Sequence, residues 1–334
     1  MSATTGATGV IRTRQASLLA AWARRNGWTL GLLGFLVLLL LFTKYIQPRY
    51  GVFGVQGLAI SVLPLALAAV AQAVVVIGGG IDLSIGSMMA LTSVVAATQM
   101  KGQSEEFGIV VVLGVLLLGL VLGAVNGGLV VVTRVPDIVV TLAMSFVWAG
   151  CALLVLATPG GDSAHWLMNL VTGSFGNEWI PKAAIVLVVV VALIWIPVGR
   201  SRLGLSIYAI GSNQLAAFRS GVPVGRTKVL AYGLMGLFAA LAGLSLTAST
   251  GIGTPVPGPY TLMSVAAVVL GGVSLAGGRG GVFGPIVAVM ILQMIRTDMT
   301  LLNVNTNLAT VLQGLILIGV VMIGSLVQIR RARA

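Results

Sequence analysis

Ten apolar stretches of roughly bilayer-crossing length run through this chain and leave it almost no soluble fold to adopt. They cover 28–46, 55–77, 84–100, 107–132, 138–157, 183–198, 229–249, 262–277, 282–296 and 307–327. A spanning helix needs about 20 mostly apolar residues. In hydrocarbon, only helices and closed barrels satisfy their own backbone. The expected fold class is therefore an all-α polytopic membrane protein with about ten transmembrane helices. Composition agrees: 58% of the residues are apolar and 8% are charged, whereas a soluble domain carries roughly 25% charged residues. A soluble enzyme, a disordered tail and a fibrous repeat are all excluded. The first stretch follows Arg24 and Arg25 and lacks a small-x-small cleavage site, so it is expected to stay as an anchor. The single Cys151 rules out a disulfide framework, and the single His165 rules out a histidine metal cage.

Charge gives an orientation. With the N-terminus inside and ten alternating spans, 14 basic and two acidic residues fall inside, and five of each fall outside. The whole net charge of +12 then lies on one face, as expected when Lys and Arg collect on the cytoplasmic side. This predicts cytoplasmic N- and C-termini. It divides the chain into a cytoplasmic tail (1–27), a transmembrane domain (28–327) with a cytoplasmic loop at 199–228, and a basic cytoplasmic tail (328–334).

Glycine patterning predicts where helices pack and where they break. Gly119, Gly123 and Gly127 form a small-residue stripe, expected to seat a neighbouring helix of the same chain rather than a dimer seam. Gly78-Gly79-Gly80 interrupts two apolar runs, just before Asp82, Ser84 and Ser87. Asp82 and Ser84 can cap the next helix, and an unwound polar break can line a solute path; the two readings are compatible. Arg134 and Arg279 are possible ionic partners of Asp82. A second break at 271–278 echoes the first when Gly79 is aligned with Gly271, placing Ser274 in the corresponding polar region. In the basic loop, Asn213 suits the start of a short helix over Leu215–Ser220 and Gly221 suits its end. Such a helix fits either a protein partner or a headgroup layer.

Catalytic chemistry finds no support. There is no G-x-x-x-x-G-K-[ST] phosphate loop. His165 has no nucleophile motif beside it. Asp82 and Asp137 sit at span ends rather than as a mid-membrane pair. No catalytic residue, metal or cofactor is expected.

Several of these stretches together resemble one family, the permease subunits of ribose-type sugar ABC importers. The resemblance runs from about residue 55 to 327. It is carried by 79–87 (GGIDLSIGS), 123–130 (GAVNGGLV), 135–144 (VPDIVVTLAM), 211–222 (GSNQLAAFRSGV), 259–285 and Gln313-Gly314. It implies a permease in the bacterial inner membrane that moves a pentose or hexose. The same machinery could carry a nucleoside, a polyol or a furanose-type signalling molecule. The implied partners are a cytoplasmic subunit that binds the ATP, a periplasmic sugar-binding protein and a second permease, identical or paralogous; nucleic acid is not among them. The resemblance also gives Gly211, Asn213, Ala216, Ala217, Arg219 and Gly221 the role of an ATPase-coupling loop. Two positions depart from the pattern. Many members carry an aromatic residue where Asp137 stands, and an acidic one where Met263 or Ser264 stands.

The residues expected to line a translocation path are Asp82, Ser84, Ser87, Asn126, Thr141 and Ser274. The spans otherwise offer few groups for sugar hydroxyls, Ser145, Trp148, Ser245 and Thr247 among them. Since unpaired hydroxyls are costly to bury, selectivity is expected to lie in another subunit. A secondary transporter, the rival from another class, would need mid-span ionisable residues, and none of the predicted spans has an acid near its centre.

Overall fold

The computed structural model describes residues 27–256 and 258–305, with scattered positions between 308 and 322. The predicted tail before Gly27, most of the tenth predicted span (307–327) and the basic tail 328–334 lie outside the described residues. The helices are α1 (Gly27–Ile46), α2 (Val52–Ile77), α3 (Ile85–Met100), α4 (Phe107–Thr133), α5 (Asp137–Val155), α6 (His165–Val171), α7 (Lys182–Arg200), α8 (Arg202–Ser212), α9 (Gln214–Arg219), α10 (Val224–Thr250), α11 (Tyr260–Leu270) and α12 (Phe283–Leu301). A small antiparallel hairpin, β1 (Ser174–Phe175) and β2 (Asn177–Pro181), leads into α7.

Seven of these helices, α1, α2, α4, α5, α7, α10 and α12, are long and apolar enough to cross a membrane. Helix α3 is shorter, and α11 has only 11 residues. At 1.5 Å per residue, α11 reaches about 16 Å, roughly half the hydrocarbon thickness. The predicted span at 262–277 is thus corrected to a half-helix. Its end is set by Gly271 and Gly272, the latter at φ 82°, and by close packing: a Cβ on Gly271 would meet Gly284 and Pro285.

Burial explains the arrangement. Helix α2 is apolar all round and buried from Val62 to Ile77, as a helix at the centre of a bundle must be. By contrast α1, α5 and α7 turn apolar side chains such as Leu38, Phe146, Leu154 and Leu193 outward, toward what would be lipid. The stripe on α4 packs within the chain. A Cβ on Gly123 would strike Tyr232 and Gly236 of α10, and one on Gly119 would strike Gly236 and Ala240. Contact between α4 and α10 is the most extensive in the bundle, because two glycine faces let the backbones approach.

The connections sort onto two ends. At one end the 78–84 and 271–282 segments meet α8, through Gly278 N–H donating to Ile77 O (2.8 Å) and Tyr208 OH donating to Gly280 O (2.8 Å). At the other end Asp162 N–H donates to Ala97 O (2.9 Å), and Gly160 pairs with Gly253. The same far end holds Glu105 against His165, with Oε1 2.6 Å from Nδ1, and Trp166 Nε1 donating to Glu105 O (2.9 Å).

The hydrogen bond from His165 holds the Glu105 carboxyl below its ordinary value, and Glu105 raises the His165 imidazole. The charged pair is therefore complete between the ordinary values of 4.5 and 6.5. It weakens as pH rises through the raised imidazole value, and again as pH falls through the lowered carboxyl value. Hydrogen exchange in the 101–106 segment, corrected for intrinsic rate, should be slower at about pH 6 than at about pH 9. Equal protection at both would show that the bonds to Glu105 from Trp166 Nε1 and from the His165 and Trp166 N–H groups fasten this loop without the imidazolium.

Candidate functional site

The two glycine breaks have the same backbone. Gly78 and Gly271 end their helices at φ −73° and −67°, and Gly79 and Gly272 both adopt φ 82°. Gly79 N–H donates to Val76 O and Gly272 N–H to Val269 O, each at 3.0 Å. One residue on, Gly80 N–H reaches Val75 O (3.0 Å) and Val273 N–H reaches Val268 O (3.1 Å). Both are Schellman-type ends, in which the positive-φ position favours glycine. The echo is therefore real but lies one residue from the sequence alignment: Gly79 corresponds to Gly272, not Gly271. Three consecutive glycines in the first break let the sequence match slide.

The chain restarts after the first break with its N–H groups taken by side chains from two other helices and from the break itself. Thr141 Oγ1 of α5 accepts from Leu83 N–H (3.1 Å), Asp82 Oδ1 accepts from Ser84 N–H (2.6 Å), and Thr261 Oγ1 of α11 accepts from Gly86 N–H (3.0 Å). Asp82 also accepts from Ser84 Oγ (2.6 Å) and, through Oδ2, from Asn126 Nδ2 (3.2 Å). Asn126 donates further to Ser84 Oγ (2.7 Å) and accepts from Trp148 Nε1 (3.2 Å). Asp82, Ser84, Asn126 and Thr141 are all fully buried.

The path candidates are thus partly united. Asp82, Ser84 and Asn126 form one network, and Thr141 adjoins it by accepting from Leu83 and donating to Ile81 O (3.2 Å). Ser87 donates to Ser84 O within its own turn (2.8 Å). Ser274 stands apart on the second break, half-buried, its backbone N–H donating to Arg279 O. The capping expectation is met by Asp82 but not by Ser84, whose side chain bonds no α3 N–H. Neither Arg134 nor Arg279 pairs with Asp82 among the described residues.

Asp137 makes the ion pair at this end instead. It lies 3.7 Å from Lys228 Nζ and accepts from Tyr232 OH (2.9 Å). A Cβ on Gly80 would collide with that carboxylate and with the Tyr232 hydroxyl. The cluster clamps the break from outside, with α5 and α10 as its jaws. Sequence reasoning missed Lys228 and Tyr232 as partners, since 91 and 95 positions separate them from Asp137. It also missed Gln72, fully buried near the end of α2 with neither amide atom paired among the described residues. Such an unpaired amide costs about 1–3 kcal/mol per group, so Gln72 adds nothing to stability as it stands.

The 199–228 loop holds two helices, not one. Helix α9 matches the predicted short helix: Asn213 Oδ1 accepts from Ala216 N–H (2.9 Å), and Gly221 closes it at φ 83°. Helix α8 was not foreseen. Its core-facing residues Leu203, Ile207 and Ile210 repeat at helical spacing, yet the segment is short and flanked by charge. The candidate coupling residues divide accordingly. Asn213, Ala216, Arg219 and Gly221 are exposed on or beside α9 and Ala217 is buried beneath them. Gly211 belongs to α8 and points inward: a Cβ there would run into Ile77 O and Gly278 N. Gly277 in turn packs on Gly211 and Gly79. Both breaks and the end of α8 therefore meet at a single backbone junction with no room for side chains.

Comparison with known proteins decides what such an arrangement belongs to. A family model described as the branched-chain amino acid transport system / permease component matches residues 54–321. The chain belongs to this permease family. It is 33% identical to the ribose import permease protein RbsC of Escherichia coli, over 77% of this chain and 81% of that protein. It is also 33% identical to a probable ABC transporter permease protein of Sinorhizobium fredii, covering 98% and 96%. The autoinducer 2 import system permease protein LsrD of Yersinia enterocolitica is 29% identical, covering 92% and 94%. No solved structure matches the chain. The permease is a multi-pass protein of the bacterial inner membrane and a translocation component rather than an enzyme. Its sequence resemblance and its family agree.

Proposed function

We propose that this permease forms the membrane path of an ATP-driven importer for a monosaccharide, with a furanose-type signalling molecule as the second cargo. The relatives named for ribose and for autoinducer 2 support both cargoes. The observation that carries the reading is the junction of Gly211 with the two breaks. Helix α9 presents Leu215, Phe218 and Arg219 outward and connects through Asn213 alone to α8, whose last turn inserts between the breaks. A push on α9 is delivered to both breaks at once. That is the part a separate ATP-binding subunit would need, because the chain has no phosphate loop of its own.

The break end carries Arg134, Arg200, Arg202, Arg219, Arg226, Lys228 and Arg279, and on the positive-inside rule it faces the cytoplasm. The far end, with α6 and the hairpin, then faces a solute-binding protein. A second permease, identical or paralogous, completes the complex.

Phe218 is 66% exposed on a six-residue helix, the kind of aromatic anchor that dominates a docking surface. Phe218→Glu should leave membrane insertion intact and lower ATP-driven uptake by about tenfold or more, an anchor being worth roughly 2 kcal/mol. Uptake at the original rate would remove α9 as the docking element.

A further inference from the structure

A cavity of about 490 Å³ opens at the end of the bundle opposite the breaks, between α2, α10, α11 and α12. None of the path candidates contributes to it, and of the motifs only 259–285 reaches it, through Tyr260. Its polar lining is Ser61, Ser249, Thr250, Tyr260, Gln293, Arg296, Thr297 and Thr300, and its apolar lining includes Ile60, Pro64 and Leu246. We propose that this cavity is a binding site for a neutral polyhydroxylated solute of monosaccharide size, the first contact of the cargo with the permease. The proposal rests on the import reading above and adds residues to it.

The hydrogen-bond inventory gives the ligand class. Ser61 Oγ donates to Leu58 O (2.8 Å), Ser249 Oγ to Leu246 O (2.9 Å) and Thr250 Oγ1 to Leu246 O (2.8 Å). Thr297 Oγ1 donates to Gln293 O (2.9 Å) and Thr300 Oγ1 to Arg296 O (3.0 Å). Five hydroxyl protons are thus committed to backbone carbonyls, and the hydroxyls face a ligand as acceptors, Thr250 Oγ1 already taking one bond from Ile252 N–H (3.4 Å). Gln293 Nε2 donates to Ser61 O (2.9 Å), leaving its carbonyl oxygen as another acceptor. Pro64 has no N–H, so the Ile60 carbonyl lacks its usual helix donor.

Donors come from Arg296 and the Tyr260 hydroxyl. Arg296 makes no ion pair among the described residues, and no carboxylate lines the cavity. Each hydroxyl of a polyol both donates and accepts, and this lining offers a surplus of fixed acceptors with two strong donors. The Tyr260 ring and the aliphatic residues suit the C–H face of a sugar. A cation would meet the guanidinium unfavourably, and an apolar solute would leave the acceptors unpaired. The size also fits, since small-molecule sites run from about 300 to 1,000 Å³.

The test uses the full chain in nanodiscs with Cys151→Ser and Thr297→Cys. Labelling of the introduced thiol by an impermeant methanethiosulfonate is timed with and without D-ribose, D-glucose and ribose 5-phosphate. A neutral sugar should slow labelling by roughly tenfold at about ten times its dissociation constant. That protection should vanish in the further variants Arg296→Gln and Gln293→Leu. Unchanged labelling with either neutral sugar would overturn the site, as would protection that survives both variants. Protection by the phosphate ester alone would overturn the neutral class. ATP-driven uptake by the assembled importer is measured in parallel. Failed protection with intact uptake rejects the cavity and keeps the import reading, whereas protection without ATP-driven uptake does the reverse.

Discussion

Gly211→Val is expected to abolish solute uptake while leaving the permease in the membrane. A Cβ at this position has nowhere to go: Ile77 O and Gly278 N, the two ends of the 2.8 Å bond that ties the breaks together, already occupy the space. The side chain must either force that bond open, at about 1–3 kcal/mol for the unmade pair, or displace the end of α8. Displacing α8 carries α9 with it, so the proposed docking surface shifts as well. Gly211→Ala should retain a small part of the uptake and Gly211→Val none. Position 221 is the control. Gly221 stands just beyond α9 at φ 83°, and a Cβ there meets open space. Gly221→Ala should therefore cost only the positive-φ strain of about 1–2 kcal/mol and keep most of the uptake. Equal losses at 211 and 221 would mean that the crowded junction is not what limits transport. Abundance in the membrane and monodispersity in detergent are the measurements that separate uptake from folding.

Asp82→Asn should be severe, and a swap should repair it. The carboxylate accepts from Ser84 N–H and Ser84 Oγ on one oxygen and from Asn126 Nδ2 on the other. An amide in its place turns one of those acceptors into a donor, so Nδ2 faces either Ser84 or Asn126 as donor against donor. Asn126 cannot rotate its amide to help without giving up the bond from Trp148 Nε1. A donor set against a donor leaves both buried N–H groups without an acceptor, at about 1–3 kcal/mol each. Uptake by Asp82→Asn, normalised to abundance, should fall at least about tenfold, since 1.4 kcal/mol already suffices for that factor. In the double variant Asp82→Asn, Asn126→Asp, the acceptor returns on the opposite side, where it can take bonds from position 82, Ser84 and Trp148. Most of the uptake should return. A double variant as poor as the single one would show that the carboxylate must stand at position 82 itself, in contact with the solute.

The legible part of this protein was the part written locally. Apolar runs place helix ends to within a few residues because a lipid-facing or core helix has to be apolar along its whole length. Asn213 and Gly221 bracket α9 because caps act over four or five residues. The stripe at Gly119, Gly123 and Gly127 reads correctly as packing within the chain. What failed was what depends on space. The 262–277 run is apolar throughout, and only the approach of Gly271 to Gly284 shows that its helix stops at Leu270. Gly211 reads as a loop residue beside Asn213, although its surroundings are backbone atoms from two distant segments. Asp82 reads as a cap with an arginine within reach, whereas its partner is a neutral amide on α4. Apart from Tyr260, the lining of the far-end cavity gives no sequence signal. Its serines and threonines are spread over α2, α10 and α12, each resembling an ordinary hydroxyl bonded to the preceding turn.

The most direct test of the transport assignment is uptake of labelled D-ribose into proteoliposomes holding this permease with the ATP-binding subunit and the solute-binding protein proposed as its partners. ATP is supplied only on the side that carries α9, and the solute-binding protein only on the other. Accumulation that requires ATP, that stops with a hydrolysis-defective ATP-binding partner and that is lost with Gly211→Val is the expected result. Accumulation that follows a proton or sodium gradient without ATP, or that is indifferent to the partner subunit, would contradict the assignment.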